Sequence, residues 1–223
     1  MIFQWSWNFF IIIHMSLDYG ELICVENLFR LWRTYKKGKS QKADVIEFEG
    51  QLENNLFSLR RKLQKGDYVH DKYPYFRISD PKKRDIYKST VRDRIVRQAL
   101  YVYLCEIYEP ISIKYSFSSR KGAHKGVATL LKVAKHFKKE KKQCLAVKCD
   151  IWKYFENINH KILLEILRKI IQDKEILNLL EIIIGSFHGE TGKGVPLGNI
   201  TSQIFANIYI FTNWTILFQM SWK

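Results

Sequence analysis

Asp150 ends a short apolar run, Cys144–Cys149 (CLAVKC), and two aromatics, Tyr154 and Phe155, follow it in the segment VKCDIWKYFENINH. A strand that carries a carboxylate to its tip and then turns under an aromatic ring supplies what a metal-dependent nucleotidyl transfer needs. The carboxylate can hold Mg²⁺ against a triphosphate, and the ring can form a floor under an incoming sugar. Many strands end in aspartate, so this segment gains weight from a second one, Gly194–Ile210, GVPLGNITSQIFANIYI. There Gly198 permits a close backbone approach, and Ser202 and Gln203 stand in the opening turn of an apolar helix.

Hydrophobic periodicity outlines the elements that must hold these segments. Glu21–Lys37 reads as one helix with Leu22, Val25, Leu28, Phe29 and Trp32 on one side, stopped by Gly38. Between Ala43 and Gln64 a second helix carries Val45, Phe48, Leu52, Leu56, Leu59 and Leu63 at spacings of three or four, and Gly66 ends it. Tyr75–Ser79 and Arg84–Lys88 alternate as short strands around the turn Asp80-Pro81-Lys82-Lys83. Thr90-x-x-Asp93 is a capping box for a helix through Tyr108, with Ile95, Ala99, Leu100, Tyr103 and Ile107 inward and Glu109-Pro110 as its break. Another helix covers Gly122–Lys139, and Gln143–Cys149 is a strand. Helices follow over His160–Ile171, Lys174–Ser186 and from Asn199. Helices dominate and strands are few, so the fold class is α+β.

Apolar residues make up 47% of the 223, enough to bury a core and too many for a disordered chain. Lys and Arg number 37 against 22 Asp and Glu, a net charge of +15. Because the charge clusters beside aromatics, nucleic acid is favoured over a membrane surface as the partner, with plain solubility as the alternative. Cys24, Cys105, Cys144 and Cys149 form no Cys-x-x-Cys, and no histidine stands at finger spacing. This argues against structural zinc and fits a reducing, cytoplasmic setting. The opening MIFQWSWNFFIIIHM has no basic region, and its unbroken apolar run Phe9–Ile13 is far short of the roughly 20 residues of a spanning helix. No stable membrane association is expected. Met15 is the expected start of the protein, and residues 1–20 stand outside its recognisable part.

The two motif segments resemble blocks of the reverse transcriptase family, RNA-directed DNA polymerases with a right-hand fold of fingers, palm and thumb. The lead-in ENLFRLWRTYKKGK and IEFEGQLENNLFSLRRKLQKGDY is similar to that of bacterial members, and YFRISDPKKRDIYKSTVRDRIVRQAL resembles their fingers. The resemblance implies fingers over residues 21–142, a partial palm over 143–210 and an aberrant tail at 211–223, with the thumb absent. It implies Mg²⁺ as cofactor, with Mn²⁺ as its substitute. The implied partners are an RNA template, a DNA primer, dNTPs and an accessory retroelement protein.

Site roles follow from the same resemblance. Asp150 matches the first metal-binding aspartate and ligates Mg²⁺ together with the backbone carbonyl of Ile151. Phe155 matches the aromatic under the sugar, which excludes a 2′-hydroxyl. Lys82, Lys83 and Arg84 reach over the triphosphate, a role suited to cations on a mobile hairpin tip. Arg120, in SFSSRKGAH, lines the template and nucleotide pocket. Gly198 approaches the base pair, and Ser202 and Gln203 open the helix behind the templating base. Leu197-Gly198 and Ser202-Gln203 stand where most of the family has Gln-Gly and Ser-Pro. That departure resembles the enzymes of diversity-generating retroelements and the group II intron-like branch. Leu197 lacks the amide that can hydrogen-bond a nucleotide, and weaker discrimination is the expected consequence.

The family's second acidic element, Tyr-x-Asp-Asp on a tight hairpin, has no counterpart: after Ile210 the chain reads FTNWTILFQMSWK, and no Asp or Glu follows Glu190. A lone Asp150 cannot hold two Mg²⁺ ions in a catalytic arrangement. Two classes of function remain. One is an RNA-directed DNA polymerase domain in damaged or fragmentary form, inactive alone, with a shifted reading frame near residue 210 as the expected cause. The other is a polymerase-derived module that binds RNA without chemistry.

Overall fold

A computed structural model describes residues 18–80, 83–111, 122–140, 150–187 and 192–220. The expected strand Gln143–Cys149 therefore lies outside the described residues. Four helices open the described residues: α1 (Tyr19–Leu22), α2 (Val25–Lys36), α3 (Ala43–Gly50) and α4 (Leu52–Lys65). Strands β1 (Tyr75–Ile78) and β2 (Arg84–Tyr87) lead into the long helix α5 (Val91–Ile111). Then come α6 (Ala123–Lys139), a 3-10 helix (Tyr154–Asn157), α7 (His160–Ile170), α8 (Lys174–Gly185) and α9 (Ile200–Met220). Helix α9 runs past Ile210 without a break there.

Two expected single helices are each divided. Glu21–Lys37 breaks at Ile23 and Cys24, between α1 and α2. An Asp18–Glu21 capping box closes the first short turn, and Asn27 Nδ2 donates to the freed Leu22 carbonyl at 2.7 Å. Tyr19, in α1, is bonded to two segments distant in sequence. Its backbone N–H donates to Asp173 Oδ2 at 3.0 Å, and its hydroxyl donates to the Leu63 carbonyl at 2.9 Å. Burial, then Glu175 and Asp173, push the Tyr19 phenol up to about 12. The second helix breaks at Gln51 (φ −130°, ψ 39°), where Asn55 Nδ2 takes the Phe48 carbonyl at 3.0 Å. Helix α4 ends as expected at Gly66, whose φ of +74° is a conformation open to glycine. The expected stop at Glu109-Pro110 is displaced: Pro110 lies inside the last turn of α5, which ends at Ile111. The missing proline N–H costs one terminal hydrogen bond there, not an interior one.

Helix α5 is the axis of the core, packed against α2 on one side and α9 on the other. Ile95, Leu100 and Leu104 are fully buried along it, as are Leu28 of α2 and Phe205 of α9. Each such side chain contributes about 1.5–3 kcal/mol by leaving water. Helix α9 also packs on α7 and on the 3-10 helix.

The hairpin pairs Tyr75 with Tyr87, Phe76 with Ile86, Arg77 with Asp85 and Ile78 with Arg84. A two-stranded ribbon is marginal by itself. This one is tied down at its base, where the Lys88 N–H donates to the Pro74 carbonyl at 2.9 Å and Lys88 Nζ lies 2.9 Å from Asp44 of α3.

Candidate functional site

Asp150 is exposed, and the Ile151 N–H donates to its Oδ1 at 3.1 Å. Ile151 and Trp152 beyond it are also exposed, Trp152 at 78%. Lys153 then adopts the left-handed conformation (φ 47°, ψ 42°) and caps the 3-10 helix. A non-glycine residue there stores about 1–3 kcal/mol of strain, which the surroundings must hold. Its carbonyl accepts from the N–H groups of Glu156 (3.1 Å) and Asn157 (3.2 Å) and from Asn157 Nδ2 (3.0 Å). Its ammonium sits 4.9 Å from the Trp152 ring centre and 3.3 Å from the Glu156 carboxylate.

The turn that follows Asp150 is bonded to the second motif segment. Tyr154 donates its hydroxyl to the Ala206 carbonyl of α9 at 2.6 Å. Burial, then Tyr209, raise the Tyr154 phenol pKa, so it stays a donor at neutral pH. The Val195 N–H donates to the Phe155 carbonyl, and the Gly194 N–H to the Ile158 carbonyl, each at 2.9 Å. His160 opens α7 buried, with Nε2 2.7 Å from the Gly194 carbonyl.

The glycine turn is in turn fastened to the hairpin. Gly198 has φ +95°, and a Cβ added to it would stand 3.2 Å from Cγ2 of Ile86 in β2. Asn199 Nδ2 donates to the Tyr87 carbonyl at 3.1 Å, and the Ser89 hydroxyl donates to Asn199 Oδ1. The buried Ser202 hydroxyl donates to the Pro196 carbonyl at 2.7 Å, so it closes the turn from within. Leu197 and Phe155 are half-buried, and Gln203 is exposed. Lys83 is exposed at the free end of the hairpin, and Arg84 is the first residue of β2. From Tyr87 to Lys83 is about 13 Å along an extended strand. Lys82 and Arg120 lie outside the described residues. The structure thus joins the Asp150 turn, the glycine turn and the base of the hairpin.

Sequence reasoning missed a buried polar cluster beside this junction. Asp93 and Arg97, one turn apart on α5, are 0% and 1% exposed. Asp93 accepts from Tyr68 (2.8 Å), from the Asp71 N–H (3.0 Å) and from Thr90 (2.8 Å), and pairs with Arg92 at 3.1 Å. Burial alone would raise its carboxyl. The charges of His70 and Arg92, with the Thr90 and Tyr68 bonds, outweigh this and hold it below the usual carboxylate range. Arg97 donates to His70 Nε2 from Nε (3.3 Å) and Nη2 (3.2 Å), to Thr201 Oγ1 from Nη1 (2.6 Å), and to the Tyr73 hydroxyl. His70 Nδ1 lies 2.6 Å from the Asp71 carbonyl, so the proton sits on Nδ1 and Nε2 is free to accept. Burial, then Arg97, lower the His70 pKa against the pull of Asp93. The signal in the sequence was an Asp-Arg pair at i, i+4 on the same face as Leu100 and Leu104, where a helix turns inward.

Among the described residues no group of three His, Cys, Asp or Glu side chains is placed to hold a metal. Among the described residues no helix is long and apolar enough to cross a membrane.

No known family profile matches the chain. It is 26% identical over 172 residues to Protein YkfC of Escherichia coli strain K12, covering 73% of this chain and 45% of that protein. It is 26% identical over 193 residues to the group II intron-encoded protein LtrA of Lactococcus lactis subsp. cremoris, covering 78% of this chain and 30% of LtrA. The chain spans less than half the length of these curated relatives. The likeness to LtrA supports a distant relation to the reverse transcriptase family.

Proposed function

We propose that these residues are the template- and nucleotide-binding part of an RNA-directed DNA polymerase, built as fingers and a partial palm of the right-hand fold. The observation that carries the reading is the junction. A solvent-facing Asp150 opens a turn whose next residues are bonded to the glycine turn, and that turn is bonded to the base of a hairpin with a cationic tip. Phe155 then forms one wall beside Asp150, and Lys83 reaches toward a triphosphate from the hairpin. Asp150, with the Ile151 carbonyl, would hold Mg²⁺, which when bound shields phosphate charge. The exposed carboxylate keeps the ion accessible to a nucleotide, and the docked 3-10 helix fixes where the carboxylate stands.

A second reading, an RNA-binding module without chemistry, is favoured by the net charge of +15, which suits a polyanion whether or not chemistry follows. One experiment separates the readings. The chain is mixed with a primed RNA template, dNTPs and Mg²⁺, and both template binding and primer extension are followed. Binding without extension supports the module, and extension that Asp150→Asn abolishes supports the polymerase. Absence of template binding at low salt rejects both. Asp150→Asn is expected to leave template affinity within about threefold, because RNA does not need that charge, and thermal stability unchanged, because the side chain is exposed.

A further inference from the structure

We infer that Arg97 is a positioning residue, whose one guanidinium fixes the path of the Gly198–Gln203 turn by holding Thr201 to three other segments of the chain. The inference rests on the reading of that turn as part of a nucleotide site. Arg97 belongs to α5, His70 and Tyr73 to the segment before the hairpin, Ser186 to the end of α8 and Thr201 to the first turn of α9. All four partners lie on one fork: Thr201 Oγ1 at 2.6 Å from Nη1, His70 Nε2 at 3.2 and 3.3 Å, the Tyr73 hydroxyl, and Ser186 Oγ at 3.4 Å. Tyr73 and Ser186 are themselves bonded at 2.8 Å, and Ser186 donates on to the Ile183 carbonyl at 2.7 Å.

Three features separate this from ordinary core packing. Burying a guanidinium is costly, and an apolar side chain of similar size usually stabilises a core as well or better, so the group is suited to fixing geometry. Thr201 is itself fully buried and lies three residues after Gly198, so the bond acts on the turn directly. The other side of the same turn is held by Ser89 through Asn199, and Ser89 lies just before α5. Both clamps therefore start from the hairpin–α5 unit and tie the turn to it. Lysine cannot replace Arg97 here, because an ammonium lacks the planar fork that spans four partners.

The test is hydrogen exchange on the full chain, resolved by segment, for wild type, Arg97→Lys and Thr201→Val. Thr201→Val removes one acceptor with little change of volume. It is expected to raise exchange in residues 197–204 about tenfold, the effect of losing one charge-assisted hydrogen bond, and to leave α2 and α4 unchanged. Arg97→Lys is expected to do the same and not to rescue. If Arg97→Lys does not fold, Thr201→Val carries the test. Unchanged exchange in 197–204, or a uniform rise through all helices, overturns the inference, as does wild-type behaviour of Arg97→Lys. Affinity for Mg²⁺-dNTP and for template RNA is measured on the same samples. A positioning role predicts weaker dNTP binding by about tenfold at a temperature where the variant is folded, with RNA affinity kept; equal dNTP affinity overturns it. A wild type that binds neither dNTP nor RNA refutes the polymerase reading and leaves the exchange result to judge the clamp.

Discussion

At the scale of single residues, Gly198 and His70 bind the site to its surroundings in opposite ways, one through a missing side chain and one through a proton. Gly198 combines φ +95° with a neighbour, Ile86 Cγ2, at 3.2 Å from any added Cβ. Gly198→Ala therefore meets both backbone strain and a side chain that must yield. Chemical denaturation should show a loss of about 1–3 kcal/mol, and wild-type stability would show that the turn relaxes freely. His70 acts through protonation. Its folded pKa is lowered from the ordinary 6.5, so the unfolded chain binds the proton more tightly. Its contribution is complete above pH 6.5 and is lost as pH falls from there through the lower folded value. The Asp93 carboxyl is lowered as well, and its contribution goes at still lower pH. Protonated His70 would also turn an N–H toward the Arg97 guanidinium. Melting temperature should fall between pH 7 and pH 5, and His70→Gln, which keeps an acceptor for Arg97, should flatten that slope. An equal slope in the variant would place the titrating group elsewhere.

At the scale of elements, the Asp150 turn is held by its 3-10 helix, and that helix is held by α9. Tyr154→Phe deletes the 2.6 Å bond to the Ala206 carbonyl and leaves that buried oxygen without this donor. The expected loss is about 1 kcal/mol, read by denaturation, with exchange rising first in residues 150–158. No change in that segment would mean the backbone bonds from Val195 and Gly194 suffice. The long elements were legible because apolar stripes repeat: α6, α7 and α8 stand within about a residue of where periodicity put them, and α5 and α9 begin where it put their starts. The breaks at Ile23 and Gln51 were not; at each, an asparagine side chain bonds a carbonyl at the end of the preceding helix, Asn27 that of Leu22 and Asn55 that of Phe48. Periodicity does not register such events. The site divided in the same way. Asp150, Phe155 and Gly198 carried their own local signals, whereas Arg97 looks on a helix like half of a surface ion pair. Its partners His70 and Thr201 lie 27 and 104 residues away in sequence, and only packing brings them to one guanidinium.

At the scale of the whole molecule, charge decides what the chain can hold. Lys and Arg exceed Asp and Glu by 15. Two of the acids are already taken up by neighbours: Asp44 serves both Lys88 and Arg94, and Asp93 is sealed among Tyr68, Thr90 and Arg92. Cations at the surface are left to face solvent, Lys83 at the hairpin tip among them. A polyanion that meets this surface releases its condensed counterions, and each neutralised phosphate contributes about 0.7 to the salt slope for a single strand. Binding of a single-stranded RNA through about four phosphates should give a slope of log affinity against log salt near −3. Lys83→Glu should make the slope shallower by about 0.7 if Lys83 contacts one phosphate, and it should leave the melting temperature alone because the side chain is exposed. Fluorescence anisotropy from 50 to 300 mM salt measures both quantities. A flat response in the wild type would mean that the excess charge serves solubility, and an unchanged slope in Lys83→Glu would remove the hairpin tip from the phosphate path.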